Sequence, residues 1–154
     1  MQAPPTKPPT ETPAGNAAMV SFNPSFLTAK LGEDFKVSIV ISSATGVGSV
    51  PFHLAFDPQF VEFVGAANAS PFLGQDGTPV FVLATTGAGG REVIAGLSRQ
   101  GSRPGVSGGG TLLEMTFRPK RPGTTSLSFS ELSVLDPQAQ PLPSEKLPMT
   151  VVIQ

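Results

Sequence analysis

His53 is the only histidine of the chain, so any imidazole acid–base or metal chemistry would have to be built around it. A hydrolytic triad adds an orienting acid and a nucleophile raised on a glycine elbow between strand and helix. No serine is expected to stand in such an elbow, and His53 falls on an outward strand position that suits a surface or interface residue. Glu33 and Asp34 offer hard oxygen ligands of the kind calcium takes, but the acids around them are too few for a cage. They read as solvated turn charges, and no cofactor, structural calcium included, is assigned. The runs TGAGGR and SGGG lack the lysine and following helix of a phosphate loop and read as mobile turns. The absence of cysteine removes disulfides, thiolate chemistry and thiolate zinc sites together. Sugar-binding platforms usually rest on Trp or Tyr, and this chain has neither. The chain is therefore read as not an enzyme, and its function has to reside in a surface.

The elements that would carry that surface are strands. Phe35, Val37, Ile39 and Ile41 alternate with Lys36, Ser38, Val40 and Ser42, the period of a half-buried sheet. Val50, Phe52, Leu54 and Phe56 repeat the pattern before Asp57-Pro58, where proline sets its own φ and the aspartate can accept from nearby amides. Strands are expected over 19–22, 25–29, 35–42, 48–56, 60–64, 78–85, 92–98, 111–118, 124–129, 132–135 and 147–153. The 78–85 and 92–98 pair is joined by TGAGGR as a hairpin. No helical period of useful length interrupts them, and 17 Gly with 17 Pro supply the turns. About nine short strands at this spacing predict an all-β, antiparallel β-sandwich of two sheets with jelly-roll topology.

At 154 residues the chain suits one domain, at 18–154, burying roughly 70% of its unfolded surface. Residues 1–17 are Pro/Thr-rich with almost no large apolar side chain and read as an extended linker. Met1 runs straight into QAPPTKPPTETPAG, which reads as a start set inside the linker of a longer protein. Ten basic against eleven acidic residues give a formal net charge of −1, which provides no footprint for nucleic acid or for an anionic membrane. No run approaches the roughly 20 apolar residues of a membrane helix, so direct membrane insertion is not expected.

Four pieces carry a resemblance. They are the Gly32-Glu33-Asp34 turn, Leu54-Ala55-Phe56-Asp57-Pro58 followed by Phe60 and Val64, the glycine turn and strand from Gly108 to Phe117, and the terminal strand from Met149 to Ile153. In order and spacing they resemble the cohesin domain, the module that binds dockerins in cellulosomes and occurs outside them. The Pro/Thr segment is also similar to that of cohesin-like modules in bacterial secretins and other envelope proteins. The resemblance implies a noncatalytic protein-binding module and an extracellular or cell-envelope location. Its partner would be dockerin-like or an envelope component.

In that family the partner docks on one flat sheet face, here corresponding to 48–56, 78–85, 92–98 and 111–118. Alternation then names the outward residues. They are Ser49, Pro51, His53 and Ala55; Phe81, Leu83 and Thr85; Glu92, Ile94, Gly96 and Ser98; and Leu112, Glu114, Thr116 and Arg118. Phe81, Leu83, Ile94 and Leu112 would make an apolar centre rimmed by Glu92, Glu114 and Arg118, the anatomy of an interface. Ser49 and Pro51 stand where cellulosomal cohesins carry polar residues at the centre of the face. A carbohydrate-binding sandwich is the alternative, with Phe81 as its one candidate platform and a polysaccharide as the ligand.

Overall fold

The computed structural model describes residues 17–67, 71–101 and 104–154. The expected linker lies, but for Ala17, outside the described residues. In chain order the strands are β1 (Ala18–Asn23), β2 (Phe26–Ala29), β3 (Phe35–Val47), β4 (Ser49–Ala55), β5 (Val61–Ala67), β6 (Val80–Thr86), β7 (Glu92–Arg99), β8 (Val106–Pro119), β9 (Gly123–Leu132), β10 (Val134–Leu135), β11 (Pro141–Leu142), β12 (Ser144–Lys146) and β13 (Met149–Ile153). A three-residue turn of 3-10 helix, Ala88–Gly90, joins β6 to β7, and there is no α-helix among the described residues.

The strands form two layers. One sheet runs β12-β1-β3-β8-β5. In the other, β4 lies between β7 and β9, β6 edges β7, and β9 continues through β13 to β2, with the short β10–β11 pair attached at Ser49. Nearly all pairings are antiparallel; β1 with β12 and β2 with β13 are the parallel exceptions, each on an outermost strand. The fold is an all-β sandwich of jelly-roll type.

The alternation read from the sequence is the alternation of burial. Phe35, Val37, Ile39 and Ile41 point inward from one sheet, and Val50, Phe52, Leu54 and Phe56 from the other. Phe117 gathers Phe35, Phe56 and Phe63 around it at 5.6–5.9 Å between ring centroids, while Phe129 stacks on Phe22 at 4.7 Å and meets Phe52 edge-on at 5.5 Å. Removing each such ring from water contributes about 1.5–3 kcal/mol, and the two clusters bind the layers together. The Asp57-Pro58 turn closes as expected, with Gln59 N donating to Asp57 Oδ1 at 2.9 Å and Phe60 N to Asp57 O at 3.0 Å.

Two expectations are corrected. The SGGG run is not a mobile turn but part of β8, where Gly110, Gly108 and Val106 pair with Ile41, Ala44 and Val47 across successive bulges. Glycine is what allows it, since a Cβ on Gly109 would sit 2.9 Å from the Ile41 carbonyl oxygen. The second concerns the sheet to which β8 belongs. It pairs with β3 and β5, on the side of the sandwich away from β4, β6 and β7.

Candidate functional site

The hairpin β6–β7 and the pairing of β7 with β4 lay the outward residues in rows across the sheet. Phe81, Ser98 and Ser49 form the first row and Leu83, Gly96 and Pro51 the second. Thr85, Ile94, His53 and, on β9, Glu131 form the third; Glu92, Ala55 and Ser128 form the fourth. Inward partners alternate with them: Val93, Ala95 and Leu97 of β7 are buried against the core. Of the fifteen residues named as outward from sequence, Ser49, Pro51, His53, Ala55, Phe81, Leu83, Thr85, Glu92, Ile94, Gly96 and Ser98 stand together on it.

Leu112 and Glu114 do not. Leu112 is fully buried, and Glu114 sits opposite Ser38 and Ala67 in the other sheet. Thr116 and Arg118 share that sheet, and the Arg118 guanidinium donates to both carboxylate oxygens of Asp34 at 2.9 and 3.3 Å. That carboxylate, with Glu62 at the edge of reach, raises the Arg118 pKa. Asp34, considered above as a calcium ligand, is thus engaged by an arginine. The misplacement of Leu112 has a local cause. Ile39 pairs with Leu113 and Val40 with Thr111, so Leu112 is the extra residue of a bulge and two consecutive leucines both turn inward.

The face has an apolar part and a polar part. Phe81 is 55% exposed and Leu83 47%, both on the edge strand. At the other end His53 Nδ1 lies 3.6 Å from Glu92 Oε1 and 3.9 Å from Glu131 Oε2. Ser130, which alternation alone did not select, sits in the β9 bulge between Phe129 and Glu131 and donates from Oγ to Glu92 Oε2 at 2.7 Å. The same hydroxyl lies 3.3 Å from the His53 carbonyl oxygen, so it ties Glu92 to β4. Beyond this cluster an open groove of about 720 Å³ follows the sheet, lined by Arg91, Ser126, Ser128 and Thr150 and closed at one end by Asp57-Pro58-Gln59.

Two serines test the expectation about catalysis. Ser107 stands in the spacing Gly105-Val106-Ser107-Gly108-Gly109, but no helix follows it and it forms no elbow. It lies within β8, in the opposite sheet from His53, and its Oγ accepts from Gly46 N at 2.9 Å. Ser130, near His53, is engaged by Glu92 as a donor. Among the described residues no group of three or more His, Cys, Asp or Glu side chains converges in a way that could hold a metal ion.

A buried arginine, missed from sequence, fastens the segment that leads into the face. Arg99 ends β7 with its side chain 3% exposed and donates to the Leu73 carbonyl at 2.6 Å and to Asp76 at 2.9 and 3.1 Å. Hydrogen bonds from Arg99, joined by the Thr78 amide, hold the Asp76 carboxyl well below the usual carboxylate range. Phe72 and Leu73, buried by this latch, plug the sandwich between β5 and β6.

The architecture defines a jelly-roll β-sandwich in which no other described residue covers the β6–β7–β4–β9 face. The chain belongs to the cohesin domain family, whose model matches residues 21–141. Among solved structures it is similar to a non-cellulosomal cohesin from the hyperthermophilic archaeon Archaeoglobus fulgidus, at 19% identity and a TM-score of 0.69 over 90% of this chain and 91% of that one. It is similar to the cohesin of a type I cohesin–dockerin complex from Clostridium thermocellum, at 14% identity and a TM-score of 0.71 over 90% and 92%. The sixth cohesin of scaffoldin B from Acetivibrio cellulolyticus, in complex with a dockerin, matches at 14% identity and a TM-score of 0.72 over 90% and 99%. No significant match is found among curated protein sequences.

Proposed function

We propose that this chain is a noncatalytic protein-binding module that receives a dockerin-like partner on the β6–β7–β4–β9 face. The observation that carries the reading is the joint exposure of Phe81 and Leu83 on an edge strand paired along its whole length with β7. Large apolar side chains adjacent on a regular sheet, with His53, Glu92 and Glu131 at the rim, have the arrangement of an interface centre and its polar border. Family membership and the dockerins bound in two of the structural relatives support the choice of partner. We place the module in an extracellular or envelope assembly, a reading supported by its membership of the cohesin domain family and by the Pro/Thr-rich composition of residues 1–17.

Titration calorimetry of the full chain against a panel of recombinant dockerins tests the proposal. Phe81→Asp combined with Leu83→Asp, both on exposed positions, is expected to weaken binding at least tenfold while circular dichroism stays unchanged. Equal affinity of the folded variant and the wild type would remove the face from consideration.

A further inference from the structure

Past the His53 cluster the outward surface of the sheet changes chemistry. On β9 it presents Thr124, Ser126 and Ser128, and Thr150 of β13 pairs with Ser126. All four line the open groove described above, and none of their hydroxyls hydrogen-bonds to a described residue. Alternate residues of a strand stand about 6.7 Å apart on one face, so β9 offers a ladder of groups that can each donate and accept. Phe26 of β2 continues the row of Ser126 and Thr150 to the outer edge of the sheet. At 60% exposure it is the most exposed large apolar side chain among the described residues.

The far end of the groove is cationic. Arg91, just ahead of β7, lines it and has no carboxylate partner among the described residues. Two further cations are held on the closing turn, Lys120 Nζ donating to the Pro58 carbonyl at 3.0 Å and Arg121 Nη1 to Gln59 Oε1 at 3.0 Å. With its oxygen so engaged, Gln59 keeps both side-chain N–H donors for a ligand. One carboxylate, Asp57, stands among these cations, and its Oδ1 already accepts from Gln59 N. Glu92, two strands from Ser128 in the fourth row, is turned onto Ser130 and His53. This local excess of positive charge is hidden in a formal net charge of −1.

We propose that this groove is a second binding site and that its ligand is a polysaccharide strand bearing uronate carboxylates. A sugar ring stacks on Phe26, ring hydroxyls exchange hydrogen bonds with Thr150, Ser126 and Ser128, and a carboxylate meets Arg91 as a charge-assisted pair. Phe26 on β2 and Arg91 at the start of β7 stand four strand spacings apart, about 19 Å, which suits a few linked sugar rings and exceeds a single one. Phenylalanine lacks the polar handle of Trp or Tyr, so the charged contact supplies what an aromatic pair supplies in a neutral-sugar site. A protein interface has an apolar centre, whereas this groove has hydroxyls in its middle. The site includes neither Phe81 nor Leu83, is centred three strands from them on β9, and holds whether or not a dockerin docks there.

Affinity electrophoresis of the full chain tests the site, through gels carrying polygalacturonate, alginate, methyl-esterified pectin, a neutral β-glucan or single-stranded DNA, with each mobility referred to a gel without polymer. Retardation by at least one of the two uronate polymers is expected, and methyl esterification, which removes the charge and keeps the sugar backbone, is expected to weaken binding about tenfold. Arg91→Gln and Phe26→Ala are each expected to weaken it about tenfold with unchanged melting temperatures, since both side chains are exposed. Phe81→Asp combined with Leu83→Asp is expected to keep the full retardation. No retardation by either uronate polymer overturns the site, and so does equal or stronger retardation by the β-glucan or by DNA. Retardation that survives both Arg91→Gln and Phe26→Ala, or that the Phe81/Leu83 variant abolishes, puts the glycan elsewhere on the molecule and overturns the groove.

Discussion

Leu112 and Leu83 are leucines on outward-reading positions of two strands, and the fold treats them oppositely. Leu112 is buried completely by a bulge, while Leu83 is about half exposed at a sheet edge. Truncating Leu112 to alanine should leave a cavity and cost about 3 kcal/mol in urea denaturation, whereas Leu83→Ala should stay within about 0.5 kcal/mol of wild type. Arg99 belongs to the same scale. Its guanidinium is the buried donor to the Leu73 carbonyl and to Asp76, and Arg99→Ala should cost about 2 kcal/mol in the same assay by removing those charge-assisted bonds. Asp76 adds a pH dependence of known sign. Its pKa is lower folded than unfolded, so its contribution is complete above the ordinary carboxylate pKa of about 4 and fades as pH falls below it. Thermal melts from pH 7 to pH 2 should show a shallower acid decline in Asp76→Asn than in wild type.

At the level of elements, glycine serves two opposite ends in successive segments of the chain. In β7, Gly96 leaves space above the sheet; ahead of β8, Gly105 removes a clash, because a Cβ there would fall on the carbonyl group of Gly46. Gly105→Ala should therefore force the β3 and β8 backbones apart and lower stability by about 1–3 kcal/mol, against little change for Gly96→Ala; chemical denaturation of the two variants side by side reads the difference. The hairpin β6–β7 and the Asp57-Pro58 turn were legible in the sequence because each is closed by residues a few positions apart. Gly87 N donates to Glu92 O at 2.7 Å, and Asp57 caps its own turn. The long β3 and β8 were legible only over 35–42 and 111–118. Beyond those residues, toward Val47 and Val106, they run through Ser43, Gly46 and Gly108, all at positive φ, where bulges replace alternation.

For the whole molecule, the pairings that close the sandwich join distant parts of the chain: β1 meets β12, β2 meets β13, and β3 meets β8. Loops of that length must be ordered before their contacts form, so refolding is expected in milliseconds to seconds. Stopped-flow far-ultraviolet dichroism is the suitable probe, since the chain has no Trp or Tyr to report by fluorescence. The same distribution of contacts explains what could be read without the structure. Alternation depends only on the two-residue repeat of a strand, so the sandwich class, the inward faces of β3 and β4, and the outward set Ser49, Pro51, His53, Phe81, Leu83 and Ile94 could be read from residue order. Alternation states which side of a strand faces the core, not which sheet the strand joins. That β8 lies in the far sheet, that Leu112 is core, and that Gly96 sits between Leu83 and Pro51 emerged only in the folded chain, because each of these depends on pairings between segments that the sequence keeps apart.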